Sequence, residues 1–153
     1  MDLHSFVADS DPVVAVLAGD AAAAGAVRFA VPAYVVREVR GAKMPTVPAV
    51  FDEFAAAFQF PWYFGENKDA FDECMRDLDE FVGAAPGYLV VVRDAEQLLA
   101  AATPELAWFL AATTFYAESW AARQVAFRVV LQTGQPEGWL REFTRVALPG
   151  HLA

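Results

Sequence analysis

The chain is 153 residues long and 57% hydrophobic, and its 20 acidic and 11 basic side chains give a net charge of −9. That length suits one domain with a substantial core; the hydrophobic content excludes disorder, and no apolar run reaches the roughly 18 residues of a membrane helix. The acidic balance repels nucleic-acid phosphates and favours a basic partner instead.

The opening residues, MDLHSFVADSDP, carry acids and no basic segment, so they do not read as a secretory leader. Two short apolar runs follow, Val13 to Leu17 behind Pro12 and Ala26 to Val31 closed by Pro32. Gly19 and Asp20 begin the break between them, and Ala21 to Ala24 has the length of one helical turn. Residues 1–33 are therefore expected to form an extension that adds a strand or two beside the core.

Tyr34 to Arg40, YVVREVR, suits a first core strand stopped by Gly41. A helix is expected from Thr46 or Val47 to about Phe58, because Val50, Phe54, Ala57 and Phe58 recur at helical spacing. Pro48 is tolerated in its first turn. After an aromatic turn containing Trp62, Tyr63 and Phe64, Asn67 is placed to start a central helix reaching Phe81. One side of that helix carries Phe71, Met75, Leu78 and Val82, flanked by Cys74 and Phe81. On the other, Asp69, Glu73 and Glu80 fall within about 40° at 100° per residue, with Arg76 and Asp77 beside them.

Gly83 to Gly87 reads as a loop, and Tyr88 to Val92, YLVVV, as a strand covered on both faces. A short helix is expected from Asp94 or Ala95 to Ala102, then a longer one from Pro104 to about Ala122. Ala126 to Gln132 is the third core strand, broken by Gly134 and Pro136. Trp139, Leu140, Phe143 and Val146 in residues 133–153 are spaced for a short docking helix. Three apolar strands separated by helices give an α/β fold with a small parallel sheet.

The charge is concentrated around the central helix. Between Asp52 and Glu80 nine acids face only Lys68 and Arg76, a net −7 of the chain's −9. A helix built for solubility alone intersperses signs, since acid–base pairs four residues apart stabilise it. Acid beside an aromatic turn fits a surface that grips a cationic cleft, charge steering the encounter and aromatics supplying contact area.

Catalytic chemistry is poorly represented. His4 and His151 lie near opposite ends and outside any ligand spacing, and no glycine-rich phosphate loop is present. Cys74 faces the apolar stripe, which points to packing, and as the single cysteine it has no internal disulfide partner, consistent with a reducing cytoplasm. Asp69 and Glu73 form no acid/base pair, because two carboxylates on one exposed face lack the burial that separates their pKa values. No enzyme activity, cofactor or metal is expected.

The run F-P-W-Y-F-G-E-N-x-D-A-F-x-E-C-x-x-D-L, from Phe60 to Leu78, resembles the signature of the barstar family of barnase-type ribonuclease inhibitors. With the order of elements around it, the resemblance covers roughly residues 34–132. It implies a small three-stranded parallel sheet packed with helices, and a central helix that blocks a nuclease active site. Carried over residue by residue, Tyr63 is the aromatic contact, Gly65 the close backbone approach and Asn67 the start of the helix. Asp69 and Glu73 become the phosphate-mimicking acids, Arg76 and Asp77 the rim, and Glu118 the nearest candidate for an acid from a later helix. The chain departs from the family pattern in its longer acid at Glu73, in Asp72 where a tryptophan contact is usual, and in the Arg76–Asp77 pair. The alternative is a barstar-like binding module turned to another basic partner.

Overall fold

Tyr88 to Val92 is apolar at every position, so the strand containing it is stable only with cover on both faces. The computed structural model, which describes residues 1–150, supplies that cover. The elements in order are α1 (Leu3–Ala8), β1 (Val14–Ala18), α2 (Ala21–Ala30), β2 (Val35–Arg40), α3 (Val47–Phe58), α4 (Lys68–Met75), α5 (Leu78–Val82), β3 (Gly87–Arg93), α6 (Leu106–Ala121) and β4 (Ala126–Thr133). The four strands pair in the order β1-β4-β3-β2, all parallel, with Val14 and Val90 both in register with Val129.

Strand alternation divides the buried residues into two cores. Tyr88, Val90, Val92, Phe127, Val129 and Leu131 pack with Phe54, Phe71, Phe109 and Trp120 from α3, α4 and α6. Leu89, Val91 and Val130 face the other way, onto Phe6 and Val7 of α1 and Ala24 and Val27 of α2. The result is a three-layer α/β/α arrangement.

The sheet has four strands, and the N-terminal extension contributes one of them. The first apolar run became β1; the second, Ala26 to Val31, lies in and just beyond α2. Asp20 caps that helix by accepting from Ala23 N at 3.1 Å, and the alanine-rich stretch propagates it past Gly25. A further helix, α1, is capped in the same way by Asp2, which accepts from Ser5 N at 2.8 Å.

Two other expectations give way to backbone bonds from distant parts of the chain. The helix expected over residues 95–102 is only a 3-10 turn at Ala95–Gln97, bracketed by Asp94 and Leu99 in the left-handed region (φ 49° and 53°). Leu99 N and Ala101 N donate to Met44 O and Pro45 O instead of closing helical rings. In the tail, Gly138–Glu142 is a 3-10 turn, and Val146 belongs to an extended stub along the free edge of β1. Val16 N donates to Thr144 O at 2.8 Å, and Val146 N donates to Val16 O at 2.9 Å. This satisfies edge groups that would otherwise be open to another chain. His151 lies outside the described residues.

Arg128 on β4 fastens the N-terminal layer. Its buried guanidinium donates to the carbonyls of Phe127 (2.8 Å), Phe6 (3.3 Å) and Asp9, and burial pushes its pKa down. Replacing it by methionine removes the donors and strands the carbonyls, so Arg128→Met is expected to cost about 2–4 kcal/mol. Urea denaturation measures this, and proteolysis between α1 and β1 should accelerate in parallel.

Candidate functional site

The aromatic turn is anchored from both sides. Phe64 N donates to Pro61 O at 3.0 Å, closing a β-turn with Trp62 and Tyr63 at its centre. Phe60 and Phe64 contact each other edge to face at 5.1 Å, and Phe64 also meets Phe51 at 5.9 Å. Phe60 reaches Phe71 of α4. The flanks of the turn are thus part of the core, while Trp62 and Tyr63 project into solvent.

Asn67 then starts α4 as a helix cap, accepting from Ala70 N at 2.8 Å while its Nδ2 donates to Gly65 O at 3.2 Å. A Cβ at Gly65 would stand 3.2 Å from that same Nδ2, so glycine leaves the cap its room. Phe71 and Met75 are buried, whereas Asp69 and Glu73 are exposed. Among the described residues neither acid has a side-chain hydrogen-bond or ion-pair partner. Lys68, next to Asp69 in sequence, is turned away: it pairs with Glu105 at 2.7 Å and lies over the Trp108 ring at 4.7 Å.

The central helix is interrupted. α4 ends at Met75, Asp77 adopts a non-helical conformation (φ −124°, ψ 27°), and α5 starts anew at Leu78. The cause is α6. Trp120 Nε1 donates to Met75 O at 2.9 Å, and Arg123 donates to Arg76 O, so both carbonyls are satisfied from outside. Glu80 therefore leaves the stack with Asp69 and Glu73 that an unbroken helix would have given.

A model of the family described as Barstar (barnase inhibitor) matches residues 34–132. The chain belongs to the barstar family. No curated protein matches it.

In this barstar-family chain the remaining predicted residues go three ways. Arg76 is exposed beside Glu73, with Nε donating to Ser119 Oγ at 3.2 Å and its guanidinium 5.1 Å from the Phe115 ring. Glu73, Arg76, Asp77, Ser119 and Arg123 line one shallow groove. Asp72 instead turns inward, where the buried Tyr116 hydroxyl donates to it at 2.5 Å. Glu118 is not brought to the acidic face: it lines a separate groove with Ser10, Asp11 and Thr114. Among the described residues no cluster of histidine, cysteine and carboxylate could hold a metal, and no helix is long and apolar enough to cross a membrane.

The supporting residues Tyr116, Ser119, Trp120 and Arg123 lie outside the signature. Helical spacing turns Tyr116 inward and the size of Trp120 points to packing, but a shared role beside the acidic helix has no linear trace beyond 116, 119, 120 and 123 falling on one helix face.

Two buried protons lie on or against α4, on the Cys74 thiol and the Tyr116 hydroxyl. Burial, with the Asp72 carboxylate, holds the Tyr116 hydroxyl far above the ordinary phenol value of 10.0. Burial, with Asp77 and Glu73, pushes the Cys74 thiol up from 9.0 to about 11. Both groups bind protons more tightly folded than unfolded. Their contribution is therefore complete below pH 9 and is lost as pH rises through 9–11 for Cys74 and above 10 for Tyr116. The urea midpoint should fall over that range, and less steeply in Cys74→Ala. Tyr116→Phe, which leaves Asp72 without its donor, should cost about 1–3 kcal/mol at neutral pH.

Proposed function

We propose that this chain inhibits a barnase-type ribonuclease by seating the turn at Trp62–Tyr63 and the exposed face of α4 in the nuclease active site. One observation carries the reading. Asp69 and Glu73 stand exposed and unpaired on a helix whose opposite face is fixed in the core. Carboxylates on such a face have no internal partner to give up when they meet the cations that a nuclease presents to RNA phosphate oxygens. The concentration of negative charge between residues 52 and 80 would steer a basic protein to the same place. Tyr63 supplies aromatic contact, Gly65 and Asn67 shape the approach, and Arg76 and Asp77 form the rim. A nuclease inhibitor of this kind serves as an immunity protein or antitoxin for the cell that makes the nuclease.

A second reading is a module of the same family engaging a different basic protein. It is favoured by Arg76, whose guanidinium is fixed beside Glu73 and interrupts the acidic face.

Titration into a barnase-type ribonuclease assay separates the two. Stoichiometric loss of RNA cleavage is expected, with Asp69→Ala/Glu73→Ala weakening inhibition by about 100-fold or more while leaving the fold intact. Association should slow as salt rises. A folded protein that leaves every tested nuclease of this type active would move the reading to the second.

A further inference from the structure

The two cations of the acidic segment are held differently. Lys68 pairs with Glu105, whereas Arg76 makes no ion pair among the described residues, although Glu73 and Asp77 line the same groove. Its Nε donates to Ser119 Oγ at 3.2 Å, and its guanidinium lies 5.1 Å from the ring of Phe115, which is 42% exposed. Nη1 and Nη2 have no acceptor among the described residues. A second guanidinium borders this groove: Arg123 lies over the Trp120 ring at 3.6 Å, and its nearest acid is Asp79 at 3.9 Å. The groove beside α6 thus carries exposed positive charge at the edge of a strongly negative face.

A partner cationic over its whole cleft would be repelled by Arg76 at the point where Glu73 attracts it. A carboxylate at the edge of that cleft reverses the sign. A guanidinium with free N–H groups beside an aromatic ring suits a bidentate carboxylate. A phosphate dianion suits it less, because Glu73 and Asp77 stand in the same groove. Resting on the inhibitor reading above, we propose that Arg76 selects among nucleases. The cognate enzyme presents an aspartate or glutamate at the rim of its cationic cleft, and Arg76 pairs with it beside the Phe115 ring. Enzymes with a cation at that place are rejected.

The sign of the Arg76→Ala effect tests this, read on a barnase-type ribonuclease that the unsubstituted chain inhibits. An arginine that only dilutes the acidic face would, on removal, leave inhibition tighter. The proposal requires the opposite: Arg76→Ala should weaken inhibition about 10-fold or more, and Arg76→Glu about 100-fold or more. Arg76→Lys, which keeps the charge but loses the fork, should fall between Arg76→Ala and the unsubstituted chain. Thermal melting verifies folding, and the bond from Arg123 is to the Arg76 carbonyl, which every variant retains. Replacing the nuclease's rim carboxylates by alanine, one at a time, should find one that couples to Arg76→Ala by about 10-fold or more in a double-mutant cycle. Unchanged or tighter inhibition by Arg76→Ala, or no rim carboxylate that couples to it, would overturn the proposal. If Asp69→Ala/Glu73→Ala still loses inhibition in that case, the inhibitor reading survives without it. A chain that inhibits no nuclease of this type, with its fold intact, overturns both.

Discussion

The last carbonyl groups of any α-helix have no partners within the helix, and in this protein a neighbouring helix takes charge of those at the end of α4. Trp120 and Arg123 of the α6 segment bond to Met75 O and Arg76 O, and Tyr116 holds the Asp72 side chain. An eight-residue helix is marginal by itself. Clasped at its C-terminal end and capped by Asn67 at the other, α4 becomes a rigid platform. The same clasp breaks the helix at Asp77 and leaves Asp69 and Glu73 as the pair of acids facing outward from it. Asp69 lies in the first turn, where the helix dipole supports a negative charge without any side-chain cation.

That platform rests on a sheet which the family match at residues 34–132 does not complete. Leu89, Val91 and Val130 face away from α4, and α1 and α2 cover them. The tail closes the open edge of β1, and Arg128 reaches through from β4 to the carbonyls of α1. The N-terminal residues and the tail are therefore bound into the same hydrophobic and hydrogen-bonded structure as the acidic helix. A parallel sheet leaves little choice, since both of its faces must be kept from water.

Legibility in the sequence followed the range of the interactions involved. The strand containing Tyr88–Val92 was evident because a continuous apolar run of that length carries its own signal, and those containing Tyr34–Arg40 and Ala126–Gln132 because β-branched and aromatic residues cluster there ahead of a glycine break. Helix α3 and the inward face of α4 were visible in helical periodicity, and the Asn67 cap in its position before an apolar stripe. The break at Asp77 was not, because its cause is a tryptophan and an arginine more than 40 residues away. Asp72 read as one more surface acid for the same reason: only Tyr116 gives it an inward partner. Glu118 shows the converse failure, since its place on α6 was inferable but the direction it faces was not. Residues 95–102 illustrate a third kind, in which backbone bonds to Met44 and Pro45 outcompete a local helix preference.

The arrangement of charge around α4 is not the most stable one available to these residues. Lys68 adjoins Asp69 in sequence yet pairs with Glu105, and Arg76 is drawn to Ser119 and the Phe115 ring rather than to Glu73. A surface optimised for folding would pair these charges at helical spacing, each such pair adding about 0.2–0.5 kcal/mol. Leaving the acids free forgoes that small gain and keeps them fully hydrated, which costs little while they are exposed. Their interaction changes only when another surface excludes the water. A cationic cleft then meets carboxylates with no internal partners to displace, so little of the electrostatic energy is spent on rearranging this chain. On the inhibitor reading, fold stability is supplied by the two buried cores, and the exposed residues of the turn and helix remain free to match a partner.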